Sequence, residues 1–204
     1  RAVRAARPGC RLVADANEAW TAKDTPRLLD IAAEERFELI EQPLPAGNDA
    51  ALASIPRPVP VCADESAHTD EDAARRIELG YGAIALKAIA KTLSMTLKIA
   101  RVAHEAGVPC FCADLTVNPI LVEWNKAVAA RLAPFPGLGL GLLETNGHQN
   151  YRDWARMQSY HPCPEATWTS AREGVFTLDE DFYRRSAGLF EPLAHYEEMF
   201  RGRS

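Results

Sequence analysis

The chain has 204 residues, of which 47% are hydrophobic and 25% are charged, and its formal net charge is −5. This composition is typical of a globular protein and excludes disordered and collagen-like chains. No apolar run reaches 18 residues, which argues against membrane insertion, and the scattered Lys and Arg argue against nucleic-acid binding. A (β/α)₈ barrel needs about 250 residues. A chain of this length that begins with Arg1 is therefore expected to be part of a longer protein.

The cysteines form neither a disulfide framework nor a zinc motif. Their number is odd, and no Cys-x-x-Cys pair occurs. We expect buried, reduced thiols in a cytoplasmic protein, with the reservation that a truncated start would hide a signal segment. They are Cys10, Cys62, Cys110, Cys112 and Cys163.

Short apolar runs alternate with helical patterns, which predicts βα units and a parallel sheet. The predicted strands are 11–15, 37–41, 60–64, 83–87, 108–114 and 138–144. Predicted helices follow the first five strands: one begins at the N-cap Asp24, a short one covers 49–54, one runs from Thr69 to Gly80, and two cover 92–106 and 119–132. Beyond residue 150 the pattern weakens to a helix at 151–160, a turn and short strand at 173–176 and a helical turn at 179–185.

Ionisable residues stand at the ends of four successive strands. They are Asp15, Glu41, Asp64 and Lys87, which follow one another at intervals of 26, 23 and 23 residues. Repeated βα units of this length form an open doubly wound sheet or part of a barrel. The absence of a Gly-x-Gly-x-x-Gly motif after the first strand argues against a dinucleotide-binding oxidoreductase. In a barrel, these four side chains converge at one mouth.

Three converging carboxylates favour a divalent cation that prefers oxygen ligands. Mg²⁺ meets this requirement and keeps positions for substrate oxygens, with Mn²⁺ as an alternative. A nearby cation lowers the pKa of a lysine, which suits Lys87 as a general base. The alternative interpretation is that the acids are caps or turn residues and that Lys87 is a solvated surface residue.

Four local sequence words, in this order, resemble the barrel domain of the enolase superfamily, in its mandelate racemase/muconate lactonizing enzyme branch. They are Asp15-Ala16-Asn17-Glu18-Ala19-Trp20, Ile40-Glu41-Gln42-Pro43, Ala63-Asp64-Glu65-Ser66 and Ala83-Ile84-Ala85-Leu86-Lys87. The resemblance covers roughly residues 1–145. It implies an α/β fold, a TIM-type barrel that is incomplete at its N terminus and contains barrel strands three to eight.

The resemblance also implies a domain organisation. Residues 1–150 are expected to form the barrel domain. Residues 151–204 are expected to form a C-terminal extension that closes the barrel and packs on a capping domain not present in this chain. We further expect a homo-oligomer with a small-molecule carboxylate substrate.

By position, the resemblance makes Asp15, Glu41 and Asp64 the Mg²⁺ ligands and Lys87 the base. In such enzymes the base removes the proton α to a substrate carboxylate, and the product is a metal-stabilised enediolate. Further residues expected to bind substrate or to orient the ligands are Asn17, Glu65, Asp114 and Glu144. A turn role for Asn17, a helix cap for Asp114 and a loop role for Glu144 are the alternatives. Asp114 is expected to face the mouth because it shares alternation with Cys110 and Cys112.

The chain also departs from the family pattern. The Lys-x-Lys word that supplies the opposite base would precede Arg1, and the usual Gly-Gly pair after the base is replaced by Ala88-Ile89-Ala90-Lys91. Lys91 is a possible second base, but its place beyond the strand favours a surface position. The Asp-x-Asp word of dipeptide epimerases is absent at the last strand, which argues against a dipeptide substrate.

The function expected from these features is that of a Mg²⁺-dependent racemase or epimerase. An acid-sugar dehydratase or a cycloisomerase would use the same half-reaction. A non-catalytic relic of the barrel is the remaining alternative.

Overall fold

The computed structural model describes residues 1–113 and 116–202. Five parallel strands lie in sequential order in one sheet. They are β1 (Leu12–Asp15), β2 (Phe37–Glu41), β3 (Val61–Ala63), β4 (Ala83–Leu86) and β5 (Cys110–Cys112). All five coincide with predicted strands, and the sheet with its helices is an incomplete (β/α) barrel, as the sequence predicts.

Nine α-helices are assigned in the described residues. They are α1 (Ala2–Ala6), α2 (Thr25–Glu34), α3 (Asp70–Glu78), α4 (Leu93–Glu105), α5 (Pro119–Ala129), α6 (Gly147–Asn150), α7 (Trp154–Ser159), α8 (Glu180–Arg184) and α9 (Ala194–Arg201). Short 3₁₀ segments cover Asp49–Ser54, Thr167–Thr169 and Ser186–Gly188. None of the helices in this part of the chain is long and apolar enough to cross a membrane.

The two faces of the sheet carry different cores. Ile40, Ala63 and Ile84 pack against α2 to α5 in the larger apolar cluster. The alternate residues Leu39 and Cys62 belong to a second, smaller cluster on the opposite, inner face. Because strand side chains alternate, residues two positions further along from this inner set also point inward, toward the barrel mouth.

The sixth predicted strand is reduced to a single parallel bridge between Cys112 and Leu143. Cys112 donates its N–H to the Leu142 carbonyl at 3.0 Å, and Glu144 donates its N–H to the Cys112 carbonyl at 2.8 Å. The glycine-rich run before it forms turns instead of a strand, since Gly137 and Gly139 have φ of +74° and +70°. The segment nevertheless runs beside β5, where the predicted strand belongs.

Two predicted helix beginnings agree with the structure, but only one of them has a side-chain cap. Thr69 and Asp72 form the capping box that starts α3. Asp24 stands at the N-cap of α2, but its carboxylate accepts a hydrogen bond from the Thr21 hydroxyl at 2.7 Å and caps no helix N–H. The predicted N-cap position of Asp24 is therefore confirmed, although its side chain makes no capping hydrogen bond.

Residues beyond 150 pack mainly on α5. Lys126 of α5 donates to the Trp168 carbonyl at 2.7 Å, and Trp168, Phe182 and Ala187 form a small apolar cluster against Ala127. The helices α7 and α8 lie within the predicted 151–160 and 179–185. The predicted turn at 173–176 lies beside an antiparallel bridge between Arg172 and Val175.

Candidate active site

The ends of β1 and β2 bring the first two predicted carboxylates side by side. Asp15 and Glu41 are paired across the ladder. Glu41 is 3% exposed, whereas Asp15 is exposed because β1 forms the edge of the sheet. The exposed Val13 on the same face of β1 has the same cause.

Glu41 is the electrostatic centre of the site. Its burial raises its pKa, and so do the negative charges of Asp64, Glu144 and Asp15, in that order, bringing it to about 9. Burial is the largest of these causes, and charges act on a pKa in this way only at short range, so the three carboxyl groups lie near Glu41. The structure therefore gathers the three predicted metal ligands and Glu144 at one end of the sheet.

Lys87 follows β4 and makes an ion pair with Asp64, which is 2% exposed. Its Nζ lies 3.6 Å from Oε1 of Glu65. Burial lowers the pKa of Lys87. The hydrogen bond to Asp64 and the charges of Asp64, Glu65 and Glu41 together raise this pKa by more than burial lowers it, so the net shift is upward. The side chain predicted as the base thus contacts one of the predicted metal ligands, Asp64.

Lys91 is buried, and the expectation of a surface position is wrong. Its Nζ donates to the Asp64 carbonyl at 3.0 Å and lies 3.4 Å from the Asp64 carboxylate. The turn after β4 directs the side chain back under the strand ends, where it reaches the Ala85 carbonyl at 3.4 Å. Asp64 is consequently held by two lysines, four residues apart in the chain.

Gln42 is a structural residue of the site that was not predicted from the sequence. It is fully buried, and its Oε1 accepts hydrogen bonds from the backbone N–H of Asp64 at 2.8 Å and from the Ser66 hydroxyl at 3.0 Å. Its Nε2 donates to the Leu44 carbonyl at 2.8 Å. A buried amide directly after a strand-end acid was the available signal for a residue that joins the ends of β2 and β3.

The residues expected to bind substrate or to orient the ligands occupy different positions. Asn17 donates its backbone N–H to Oδ1 of Asp15 at 2.8 Å, an Asx-type turn that orients this carboxylate. Glu65 lies beside Lys87, and burial followed by the charge of Asp64 raises its pKa. Glu144 lies close enough to raise the pKa of Glu41.

Asp114 lies outside the described residues, but the premise of its prediction is wrong. Cys110 and Cys112 face the helices, and Phe111 and Ala113 occupy the inner cluster. Both faces of β5 are buried, so hydrophobic alternation gives no indication of which face is inward. Alternation with the cysteines therefore no longer supports a mouth-facing Asp114.

The chemistry of the donor set fits a hard divalent cation. The converging groups are carboxylates, and the mutual repulsion that raises the pKa of Glu41 is what a bound cation would relieve. Within residues 1–113 and 116–202, no group of three His, Cys, Asp or Glu side chains is arranged to hold an ion, and Asp64 is bonded to its two lysines. Binding a cation would therefore require these side chains to rearrange.

Cavity size does not locate this site. A cavity of about 490 Å³ between α4, α5 and the C-terminal segment is lined mainly by apolar side chains and contains none of these carboxylates. The candidate site is defined instead by where the strands end and by the charges gathered there.

Comparison with known proteins identifies the family. Residues 1–143 match the family described as Enolase C-terminal domain-like. The chain belongs to this family. Its relatives are epimerases, racemases and muconate lactonizing enzymes of the mandelate racemase/muconate lactonizing enzyme branch of the enolase superfamily, which confirms the resemblance.

Two curated relatives illustrate the similarity. An L-Ala-D/L-Glu epimerase of Escherichia coli (strain K12) is 46% identical over 68 residues, which are 33% of this chain and 21% of that protein. An L-Ala-D/L-amino acid epimerase of Pedosphaera parvula is 29% identical over 150 residues, which are 71% of this chain and 43% of that protein. The chain therefore spans less than half the length of these relatives.

Solved structures give the same result. An enolase family member from Agrobacterium tumefaciens with homology to dipeptide epimerases, with sodium and L-Ala-L-Glu bound, is 36% identical with a TM-score of 0.62, over 72% of this chain and 43% of that one. A dipeptide epimerase from Enterococcus faecalis, complexed with Mg and L-Leu-L-Tyr, is 25% identical with a TM-score of 0.62, over 70% of this chain and 41% of that one.

Proposed function

We propose that the protein is a Mg²⁺-dependent racemase or epimerase that removes the proton α to a carboxylate of a small-molecule substrate. The observation that carries this proposal is the contact of Lys87 with Asp64 inside a group of carboxylates at the carboxyl ends of parallel strands. In barrels of this kind, that end of the sheet carries the catalytic residues.

Each residue has a distinct part in this proposal. Lys87 accepts the α-proton at Nζ, and Asp15, Glu41 and Asp64 hold the cation. Gln42 accepts a hydrogen bond from the backbone N–H of Asp64 and fixes its position. Lys91 donates hydrogen bonds to the carbonyl and the carboxylate of Asp64. Mg²⁺, when bound, supplies positive charge where negative charge develops on the substrate carboxylate and favours the neutral form of Lys87.

The relatives support the substrate class. Their names include L-Ala-D/L-Glu epimerase and N-acetyl-D-glutamate racemase, whose substrates carry a carboxylate next to the reacting carbon. Glu144 stands where the last strand-like segment reaches the mouth and is proposed to contact substrate. Because the Asp-x-Asp word of dipeptide epimerases is missing, N-acylated amino acids have to be tested as substrates beside dipeptides.

The test is exchange of the α-proton in ²H₂O, which needs only one base. The full chain with Mg²⁺ is incubated with L-Ala-L-Glu or N-acetyl-glutamate. The signal of the glutamate α-proton, which is next to the carboxylate, is followed by NMR. We expect exchange by the wild type, a loss of at least 100-fold in Lys87→Gln in line with removal of a general base, and none after chelation of the metal. Lys98→Gln, at an exposed lysine of α4, is the matched control. Exchange in Lys87→Gln at the wild-type rate would exclude Lys87 as the base.

A further inference from the structure

A second polar site lies away from the strand ends, between α5 and the C-terminal segment. A cavity of about 300 Å³ is lined there by Glu123, Lys126 and His161, together with the aromatic side chains of Trp154 and Phe176. Thr145, the neighbour of Glu144 in the chain, also lines it. None of the residues assigned to proton abstraction or cation binding takes part.

The three ionisable side chains are almost completely buried, at 2%, 2% and 1% exposure for Glu123, Lys126 and His161. Lys126 donates to Oε1 of Glu123 at 2.8 Å and to the Trp168 carbonyl at 2.7 Å, and its Nζ lies 4.1 Å from the centre of the Phe176 ring. These contacts engage the ammonium on every side. Lys126 and Glu123 therefore compensate each other's charge, and the cavity favours a neutral ligand over an ion.

Two polar atoms in this cluster are left without a hydrogen-bond partner in the described part of the chain: Oε2 of Glu123 and Nε2 of His161. Nδ1 of His161 accepts the backbone N–H of Cys163 at 2.9 Å, so the neutral imidazole carries its proton on Nε2. Burial and the charge of Lys126 lower the pKa of His161 to about 4, which keeps the ring neutral at pH 7. Two side chains that line the cavity thus carry one unpaired acceptor and one unpaired donor.

The two side chains that carry them are close together. Nε2 of His161 lies 3.6 Å from Oε1 of Glu123, too far for a good hydrogen bond and near enough for one ligand group to reach both side chains. Buried polar atoms left unpaired are costly, so a ligand that satisfies both gains more than it would at the surface.

We propose that this cavity binds a small neutral molecule through a primary carboxamide. The carboxamide N–H₂ donates to Oε2 of Glu123, and its carbonyl oxygen accepts from Nε2–H of His161. The ligand's apolar part lies against Trp154 and Phe176. This site does not depend on the proposed enzymatic activity.

The test uses propionamide as the probe and follows the imidazole of His161 by ¹H–¹⁵N NMR in the full chain, with the signal assigned through His161→Asn. A probe this small is expected to bind saturably with a Kd on the order of millimolar. Propionate and propylamine, of similar size but charged, are expected to bind at least ten-fold more weakly. Equal binding of a charged probe would overturn the carboxamide assignment.

Two variants locate the binding. Ala171→Phe, at an exposed residue of the cavity lining, fills the cavity without touching the charged cluster and should weaken propionamide at least ten-fold. Ala53→Phe, at an exposed alanine outside the lining, is the matched control and should leave Kd unchanged. Glu123→Gln should weaken propionamide binding as well. If Glu123→Gln does not fold, the result with Ala171→Phe alone tests the proposal. No saturable shift, which means that the cavity holds water only, or equal binding in Ala171→Phe, would overturn the proposal.

Discussion

Two lysines of this chain are buried beside carboxylates in closely similar ways. Lys91 holds Asp64, and Lys126 holds Glu123 at 2.8 Å. Burial lowers the pKa of both lysines, whereas the neighbouring carboxylates raise it in part. Removing one partner of a buried pair leaves an uncompensated charge, which typically costs about 3–5 kcal/mol. Substitutions at either carboxylate therefore have to be interpreted with a stability measurement beside them.

His161 makes the stability of the protein depend on pH. Its pKa is lowered from 6.5 to about 4 by burial and by the charge of Lys126, so folding favours the neutral ring. This contribution is complete above pH 6.5 and is lost as the pH falls toward 4. This pH-dependent loss of stability is absent in His161→Asn, because asparagine does not titrate in this range. Its amide oxygen can replace Nδ1 as the acceptor for the Cys163 N–H. We expect the free energy of unfolding of the wild type to fall relative to that of the variant by about 1.4 kcal/mol per pH unit in this range.

Urea unfolding of both proteins at pH 7 and pH 5 measures this difference. Burial raises the pKa of Glu123 to about 7, so its contribution to stability has the opposite sign and grows as the pH falls. Glu123 is present in both proteins, and to first order its effect cancels in the comparison. A difference between wild type and variant that stays constant with pH would show that His161 does not titrate as proposed.

The sequence predicts some site residues and misses others for a physical reason. Glu41, Asp64 and Lys87 are predictable because each stands at the carboxyl end of a strand, so its position depends on local order alone. The burial of Lys91 depends on the turn that follows β4, whose usual Gly-Gly pair is absent, and the chain offers no local signal for that path. The inward face of β5 is not predictable because the helices cover one side and the barrel interior covers the other.

Among the elements, the segment from Leu138 to Glu144 shows how glycine decides between strand and turn. A Cβ atom at Gly141 would lie 2.0 Å from the Ala129 carbonyl oxygen, so the backbone can approach the end of α5 only without a side chain. The apolar residues of the segment predict a strand, and the close approach and turns leave only one bridge to β5. Position beside β5 was predictable, but the extent of the ladder was not.

The capping box of α3 is a local feature with a measurable contribution. The Thr69 hydroxyl accepts the Asp72 N–H at 3.1 Å, and the Asp72 carboxylate accepts the Thr69 N–H at 3.0 Å. Thr69→Ala is expected to lower the free energy of unfolding by about 1 kcal/mol, whereas Thr69→Ser keeps the acceptor and most of the stability. Chemical denaturation measures both variants. Equal stability of the two variants would show that the hydroxyl contributes nothing.

At the scale of the whole molecule, the parallel order of the strands accounts for the site. Because every strand of the sheet runs in the same direction, all strand ends with acidic or basic residues lie at one end of the sheet. The moderate net charge of −5 therefore conceals a local concentration of carboxylates. The division into a barrel domain and a C-terminal extension, the homo-oligomer and the cytoplasmic location stay predictions.

This concentration of charge predicts how the whole molecule responds to Mg²⁺. A cation that binds only the folded state stabilises it by about 2.7 kcal/mol at a concentration 100 times its Kd, so the Tm of the wild type should rise with the logarithm of the Mg²⁺ concentration above Kd. Glu41→Gln replaces a proposed ligand at the centre of the group and should lose most of this rise. Glu34→Gln, at an exposed position of α2, is the matched control and should keep it. Differential scanning fluorimetry, with KCl at equal ionic strength as the salt control, makes the measurement. If Glu41→Gln responded to Mg²⁺ as the wild type does, or if KCl reproduced the rise, these carboxylates would not be the site of the cation.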